Sequence, residues 1–258
     1  MSGADIKLYQ RMRGIYWGLL GVGVFGLPVA LMLALTIPSQ LKIFSDATIE
    51  SIGGTQQLAT TGFGIAGLLG LVAAVVMGAT AGSVDLQRGV LRDLVLTGRS
   101  RPRIVIGRLL AVVVMLVVVL AASFGLTAIL AAALAPVSTS ADWETVARSA
   151  AQFLPSIAYT VPFAAGIALL VGSRGPAIAV YFVFSLLVDN VLAAIPKVGD
   201  AWQHVSLSRA DQQLQAWITG GDPFFDTDRD VWQAAVVLAG WGIATFVVGL
   251  IRFSRRDL

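Results

Sequence analysis

Long apolar runs separated by short polar stretches organise this chain. Six of them read as membrane-spanning helices, over about 15–37, 62–83, 104–135, 150–173, 175–195 and 231–251. Each carries few or no charges, and a helix needs roughly 20 residues to cross a bilayer core. Helices are the expected form because a backbone in lipid must satisfy its own hydrogen bonds. The third run, around 32 residues, predicts tilt or projection beyond the bilayer at its Arg108 end. The first follows Lys7, Arg11 and Arg13 as a secretory signal would, but its 23 uncharged residues and missing small-residue cleavage site predict a retained span.

Three polar stretches outside the spans have helical patterning of their own. In "DLQRGVLRDLVLTGRSRPR", residues 85–103, Leu86, Val90, Leu91, Leu94 and Val95 form one apolar stripe, with Gln87, Arg88, Arg92 and Asp93 polar. Ser83 or Asp85 is suited to cap the helix start and Gly98 to end it. The pattern predicts a short amphipathic helix between the second and third spans. It fits either a helix lying on anionic lipid or one seated in a groove of a cytoplasmic protein. In the 196–230 connection, Leu207, Ala210, Leu214, Trp217 and Ile218 recur at helical spacing, predicting an interfacial or re-entrant outer helix. Before the first span, Ile6, Leu8, Tyr9 and Met12 predict a cytoplasmic surface helix, one whose cations attract anionic lipid or that docks against a partner.

Composition agrees with the pattern. The chain is 57% hydrophobic and only 13% charged, against about 25% charged in soluble domains. Its net charge of +3 is explained by where the cations fall. With six spans, both termini and the loops at 84–103 and around 174 share one side. That side holds 13 of the 18 basic residues and four acids (Asp5, Asp85, Asp93, Asp257), whereas the opposite side holds five basic residues and ten acids. The positive-inside rule therefore predicts cytoplasmic termini and a cytoplasmic 85–103 segment. Trp143, Trp202, Trp217 and Trp232 fall on or near the outer side, as interfacial anchors do. The cations serve topology, and no nucleic-acid partner is expected.

Candidate chemistry is sparse. Without cysteine, disulfides, thiol catalysis and Cys-ligated metals are excluded. Lys7, Lys42 and Lys197 are the only lysines and none follows a glycine, so the chain has no P-loop. The single histidine, His204, lies in the outer loop and away from membrane depth, which argues against an intramembrane serine protease. No catalytic, cofactor-binding or metal-ligating set is therefore expected. Asp189 is the one carboxylate inside a span, a candidate for gating or substrate contact, with structural pairing as the other reading. Along the second span, Gly62, Ala66, Gly70, Ala74, Gly78 and Gly82 recur every four residues. Such a ridge lets helix backbones approach closely in lipid, against a neighbouring span or a second subunit. Pro155 and Pro162 predict a kink or a locally freed backbone carbonyl in the fourth span.

The stretch "GSVDLQRGVLRDLVLTGRSRPRIVIGRLLA" resembles the signature region of type-2 ABC transporter permeases. Asp85, Gly89, Leu91, Arg92, Leu94, Val95, Thr97, Ser100, Arg101, Gly107, Arg108 and Leu109 match it position by position. Gly98 replaces the usual proline and Arg108 the usual lysine. The closing "GLIRFSRRDL" is similar to the family's C-terminus, and the span count and outer connection agree along the whole chain.

The resemblance implies an all-α polytopic protein, with residues 1–258 forming a single permease domain in the plasma (inner) membrane. Two copies, or one plus a related permease, would pair with two separate ATPase subunits that bind ATP and Mg. Residues 85–97 would be the coupling helix, with Asp85, Leu86, Arg88, Gly89, Leu91, Arg92, Leu94 and Val95 as ATPase-docking positions. The expected role is a non-catalytic subunit of an exporter, moving an unidentified amphipathic or lipid-like cargo. A membrane anchor or sensor subunit, and a stand-alone channel or carrier, remain the alternatives.

Overall fold

The computed structural model describes residues 54–88, 101–134, 141–195, 198–221 and 230–255. The predicted first span at 15–37, the N-terminal surface helix and most of the basic segment lie outside the described residues. Five helices among the described residues are long and apolar enough to cross a membrane: Thr55–Ser83, Pro102–Leu134, Trp143–Val171, Arg174–Ala194 and Val231–Ser254. They coincide with the second to sixth predicted spans.

In chain order the helices are α1 (Thr55–Arg88), α2 (Arg101–Leu134), α3 (Trp143–Ala151), α4 (Phe153–Val171) and α5 (Arg174–Phe182). A π-helical stretch (Val183–Val188) leads into α6 (Asp189–Ala194), followed by α7 (Val198–Trp202), α8 (Leu207–Thr219) and α9 (Val231–Ser254). The chain divides into two compact units. One contains the residues up to Ala73 with Leu116–Ala151, and the other Ala74–Met115 with Gln152–Leu258.

In the first unit, α1 and α2 pack antiparallel, as consecutive spans do. Phe63 meets Phe124 with ring centroids 5.0 Å apart. Seven residues along α1, Gly70 faces Leu120, whose Cδ2 would lie only 2.8 Å from a Cβ added there. The partner number falls as the α1 number rises, which is what opposite directions require. Asp142 caps α3: its carboxylate accepts from the Glu144 N–H at 3.1 Å and from the Thr145 hydroxyl.

In the second unit α4 is the central helix. Gly78 of α1 lies against Val161, and Gly82 lies one turn further along against Ala165. On α9, Gly242 packs on Tyr159 and Pro162, whereas Gly249 packs on Gly166 and Leu169. In both pairs the numbers rise together, so α1, α4 and α9 run parallel. Parallel spans of one chain must be separated by a returning crossing, which α2 and α5–α6 supply. Glycines mark these seams because lipid gives helices no hydrophobic drive to associate, so close backbone contact must hold them.

Three details depart from the sequence reading. The crossing ends at Ser83 but its helix does not: α1 continues to Arg88, and the Ser83 hydroxyl, instead of capping a new helix, donates back to the Ala79 carbonyl at 2.8 Å. The fourth span, Trp143–Val171, carries a break at Gln152 that divides it into α3 and α4. Pro155 has no N–H to give the Ala151 carbonyl, and the break falls there, whereas Pro162 is accommodated inside α4. The fifth span contains the π-helical stretch, with consequences for Asp189.

Candidate functional site

Both ends of the second unit carry polar chemistry. At one end α1, α4 and α9 terminate together. Val105 near the start of α2, Leu169 near the end of α4 and Phe253 near the end of α9 are buried in one cluster, packed by Phe246 and Leu250. The α4–α5 turn lies here too, closed by Gly172 at φ 86°, whose N–H donates to the Ala168 carbonyl at 2.8 Å. Asp85, Leu86 and Arg88 occupy the last turn of α1. Gly89, Leu91, Arg92, Leu94 and Val95, the remaining docking candidates, lie outside the described residues. The basic segment thus leaves the unit at the end where Arg174, Arg252 and Arg255 are also found.

A family model described as an ABC-2 family transporter protein matches residues 13–258. The chain belongs to the ABC-2 transporter family. No curated protein and no solved structure gives a significant match. Family membership makes the chain a permease-type, multi-pass membrane component of an ABC transporter. The matched span includes the whole basic segment and all five described crossings.

At the other end of this ABC-2 unit, two buried carboxylates hold the 198–219 region. Asp189 is 0% exposed. Its Oδ1 accepts from the Trp202 indole N–H at 2.9 Å. Its Oδ2 accepts from the Ser206 hydroxyl at 3.0 Å, the Ser208 N–H at 2.8 Å and the Ser208 hydroxyl. Ser206 is the N-cap of α8, so Asp189 sits at the N-terminus of that helix, where free N–H groups and the helix dipole favour an anion.

The π-helical stretch explains how Asp189 arrives there. Ala177 and Tyr181 are buried one turn apart on α5. At about 100° per residue, Val188 would continue that line. The wider turn from Val183 to Val188 delays the register, and Asp189 takes the buried position instead. Asn190 donates to the Ser185 and Leu186 carbonyls at 3.3 and 3.1 Å, meeting acceptors within that stretch.

The second carboxylate, Asp211, was not singled out by sequence reasoning. It is 9% exposed. Its Oδ1 accepts from the Ser156 hydroxyl of α4 at 2.6 Å and its Oδ2 from the Gln215 amide at 2.8 Å. The Gln215 amide also donates to Ser156 Oγ at 3.1 Å, closing a three-membered network. Burial pushes the Asp211 carboxyl up to about 6, against the lowering effect of the Ser156 and Gln215 donors. A signal for it existed, since Leu207, Asp211 and Leu214 follow the i, i+4, i+7 spacing of one helix face. Conversely Trp217, expected on the apolar face, is 64% exposed, as suits an interfacial anchor.

The small-residue ridge is buried along its whole length, at Gly62, Ala66, Gly70, Ala74, Gly78 and Gly82. Beside α8, Pro155, Tyr159, Pro162, Leu214, Leu238 and Gly242 line part of an apolar groove of ≈290 Å³ between α4 and α9.

Proposed function

We propose that this chain is the membrane half of an ATP-driven exporter, assembled as two permeases with two separate ATPase subunits that bind ATP and Mg. In this reading the termini and the 85–103 segment are cytoplasmic. Residues 85–97 dock the ATPase through Leu91, Arg92 and Leu94. The observation that carries the proposal is the family match over residues 13–258, which encloses the docking segment.

The packing supports a route for force. The segment is continuous with α1 through Arg88. The second half of α1 is seated on α4 through Gly78 and Gly82, and α4 on α9 through Gly166 and Gly249. A push on the segment therefore moves three parallel helices as one body, since backbones in such close contact cannot slide independently. The apolar groove beside Tyr159 and Leu214 supports an amphipathic or lipid-like cargo. The test is co-purification of the ATPase with wild type and with a Leu91→Ala/Arg92→Ala/Leu94→Ala variant. Loss of the ATPase at unchanged permease expression supports docking there, and retention with cargo-stimulated hydrolysis intact rejects it.

A further inference from the structure

The last two turns of α9 carry a surface not used by the docking reading. Val248, Ile251, Arg252 and Arg255 line an open groove of ≈400 Å³. Their spacing of three, four and seven residues places them along one helix face. Gly249 and Phe253 face elsewhere, into the protein, against Gly166 and with Val105 and Leu169 respectively. Val248 and Ile251 are 54% and 47% exposed although apolar. They belong to the membrane-crossing run that ends at Ser254. The groove is thus greasy on the bilayer side and doubly cationic at the boundary, over about 10 Å of helix.

We propose that this groove binds an anionic phospholipid, its phosphate held by Arg252 and Arg255 and its first methylenes lying on Val248 and Ile251. Two guanidinium forks match phosphate oxygens in bidentate geometry. A free phosphate would leave the apolar half unused. The acidic surface of a soluble protein would stop at the membrane boundary and not reach Val248. A bilayer lipid brings both chemistries at the right depth. The site stands independently of the docking segment.

The test uses the full chain reconstituted in phosphatidylcholine vesicles, measuring its association with spin-labelled phosphatidylglycerol against spin-labelled phosphatidylcholine. Wild type is expected to prefer phosphatidylglycerol, with the preference falling roughly five-fold per arginine removed in Arg252→Gln and Arg252→Gln/Arg255→Gln variants. An Arg103→Gln control, which removes a cation elsewhere, is expected to keep the preference. The inference is overturned if the double variant keeps the preference, or if Arg103→Gln loses it equally, because the attraction would then be general. Displacement of the labelled lipid by millimolar inorganic phosphate would reassign the arginines to a free anion. Displacement by an added partner ATPase would reassign them to a protein contact.

Discussion

The Ser156 hydroxyl of α4 donates to Asp211 of α8 at 2.6 Å across 55 residues of chain. Gln215 donates to both partners, so a buried carboxylate, a hydroxyl and an amide form a closed network between a crossing helix and α8, the helix whose start Asp189 meets. The arrangement pins α8 at its middle, and Asp189 pins it at its start.

Stability should fall as pH rises through the range that ionises Asp211. Its carboxyl is raised to about 6 in the folded protein and returns to about 3.9 when exposed. Between those values the folded state binds more protons than the unfolded one, so stability is greatest below about pH 4. It declines toward pH 6 and is flat above. The size is on the order of 3 kcal/mol. Thermal unfolding of the detergent-solubilised chain between pH 4 and 7 checks this. An Asp211→Asn variant should lose the slope; an unchanged slope assigns it to other groups.

Replacing Asp189 by alanine should destabilise the protein by ~3 kcal/mol. The change strands the Trp202, Ser206 and Ser208 donors that now meet its carboxylate. Limited proteolysis of the 196–230 connection should accelerate together with the drop in unfolding temperature. A variant that stays stable but loses transport would point to gating or cargo contact instead.

Glycines that look alike in sequence should differ sharply on substitution. At Gly82 an added Cβ would sit 2.4 Å from the Ala165 carbonyl oxygen, and at Gly78 2.6 Å from that of Val161. Both obstacles are backbone and cannot swing aside, so Gly82→Ala and Gly78→Ala should each cost about 1–3 kcal/mol. Gly64 has nothing within 4 Å of that position, and Gly64→Ala should be neutral or stabilising by up to ~1 kcal/mol through helix propensity. Comparing the unfolding temperatures of the three variants decides the matter.

The proposed orientation can be read by labelling, because the chain has no native cysteine. A membrane-impermeant maleimide should reach Thr219→Cys in intact cells. It should reach Ser100→Cys and Ser254→Cys only after permeabilisation. The opposite pattern would invert the topology and place the docking segment on the wrong side for a cytoplasmic ATPase.

The crossings at Thr55–Ser83, Pro102–Leu134, Arg174–Ala194 and Val231–Ser254 were legible from hydropathy alone, because a bilayer imposes length and apolarity on each span separately. The every-fourth spacing of small residues from Gly62 to Gly82 was legible for the same reason, as a local property of one helix. Other features needed information from elsewhere in the chain. The continuation of α1 past Ser83 was misread because a serine near an acid looks like a cap, and only its bond to Ala79 identifies it as helix interior. The break at Gln152 was foreshadowed by Pro155, yet sequence did not distinguish it from Pro162, which α4 absorbs.

The two buried carboxylates show the division most clearly. Sequence by itself determined that the chain crosses a membrane repeatedly, that its basic residues cluster between and beside the apolar runs, and that residues 85–109 resemble the signature region of type-2 ABC permeases. Those properties depend on residues close together, or on a solvent that acts on every span alike. Tertiary structure alone decided that Asp189 meets the start of α8, that Asp211 meets Ser156, and that α1, α4 and α9 run parallel through facing glycines. Each of these depends on groups tens of residues apart, and on a register that the π-helical stretch shifts by a fraction of a turn, which no local pattern specifies.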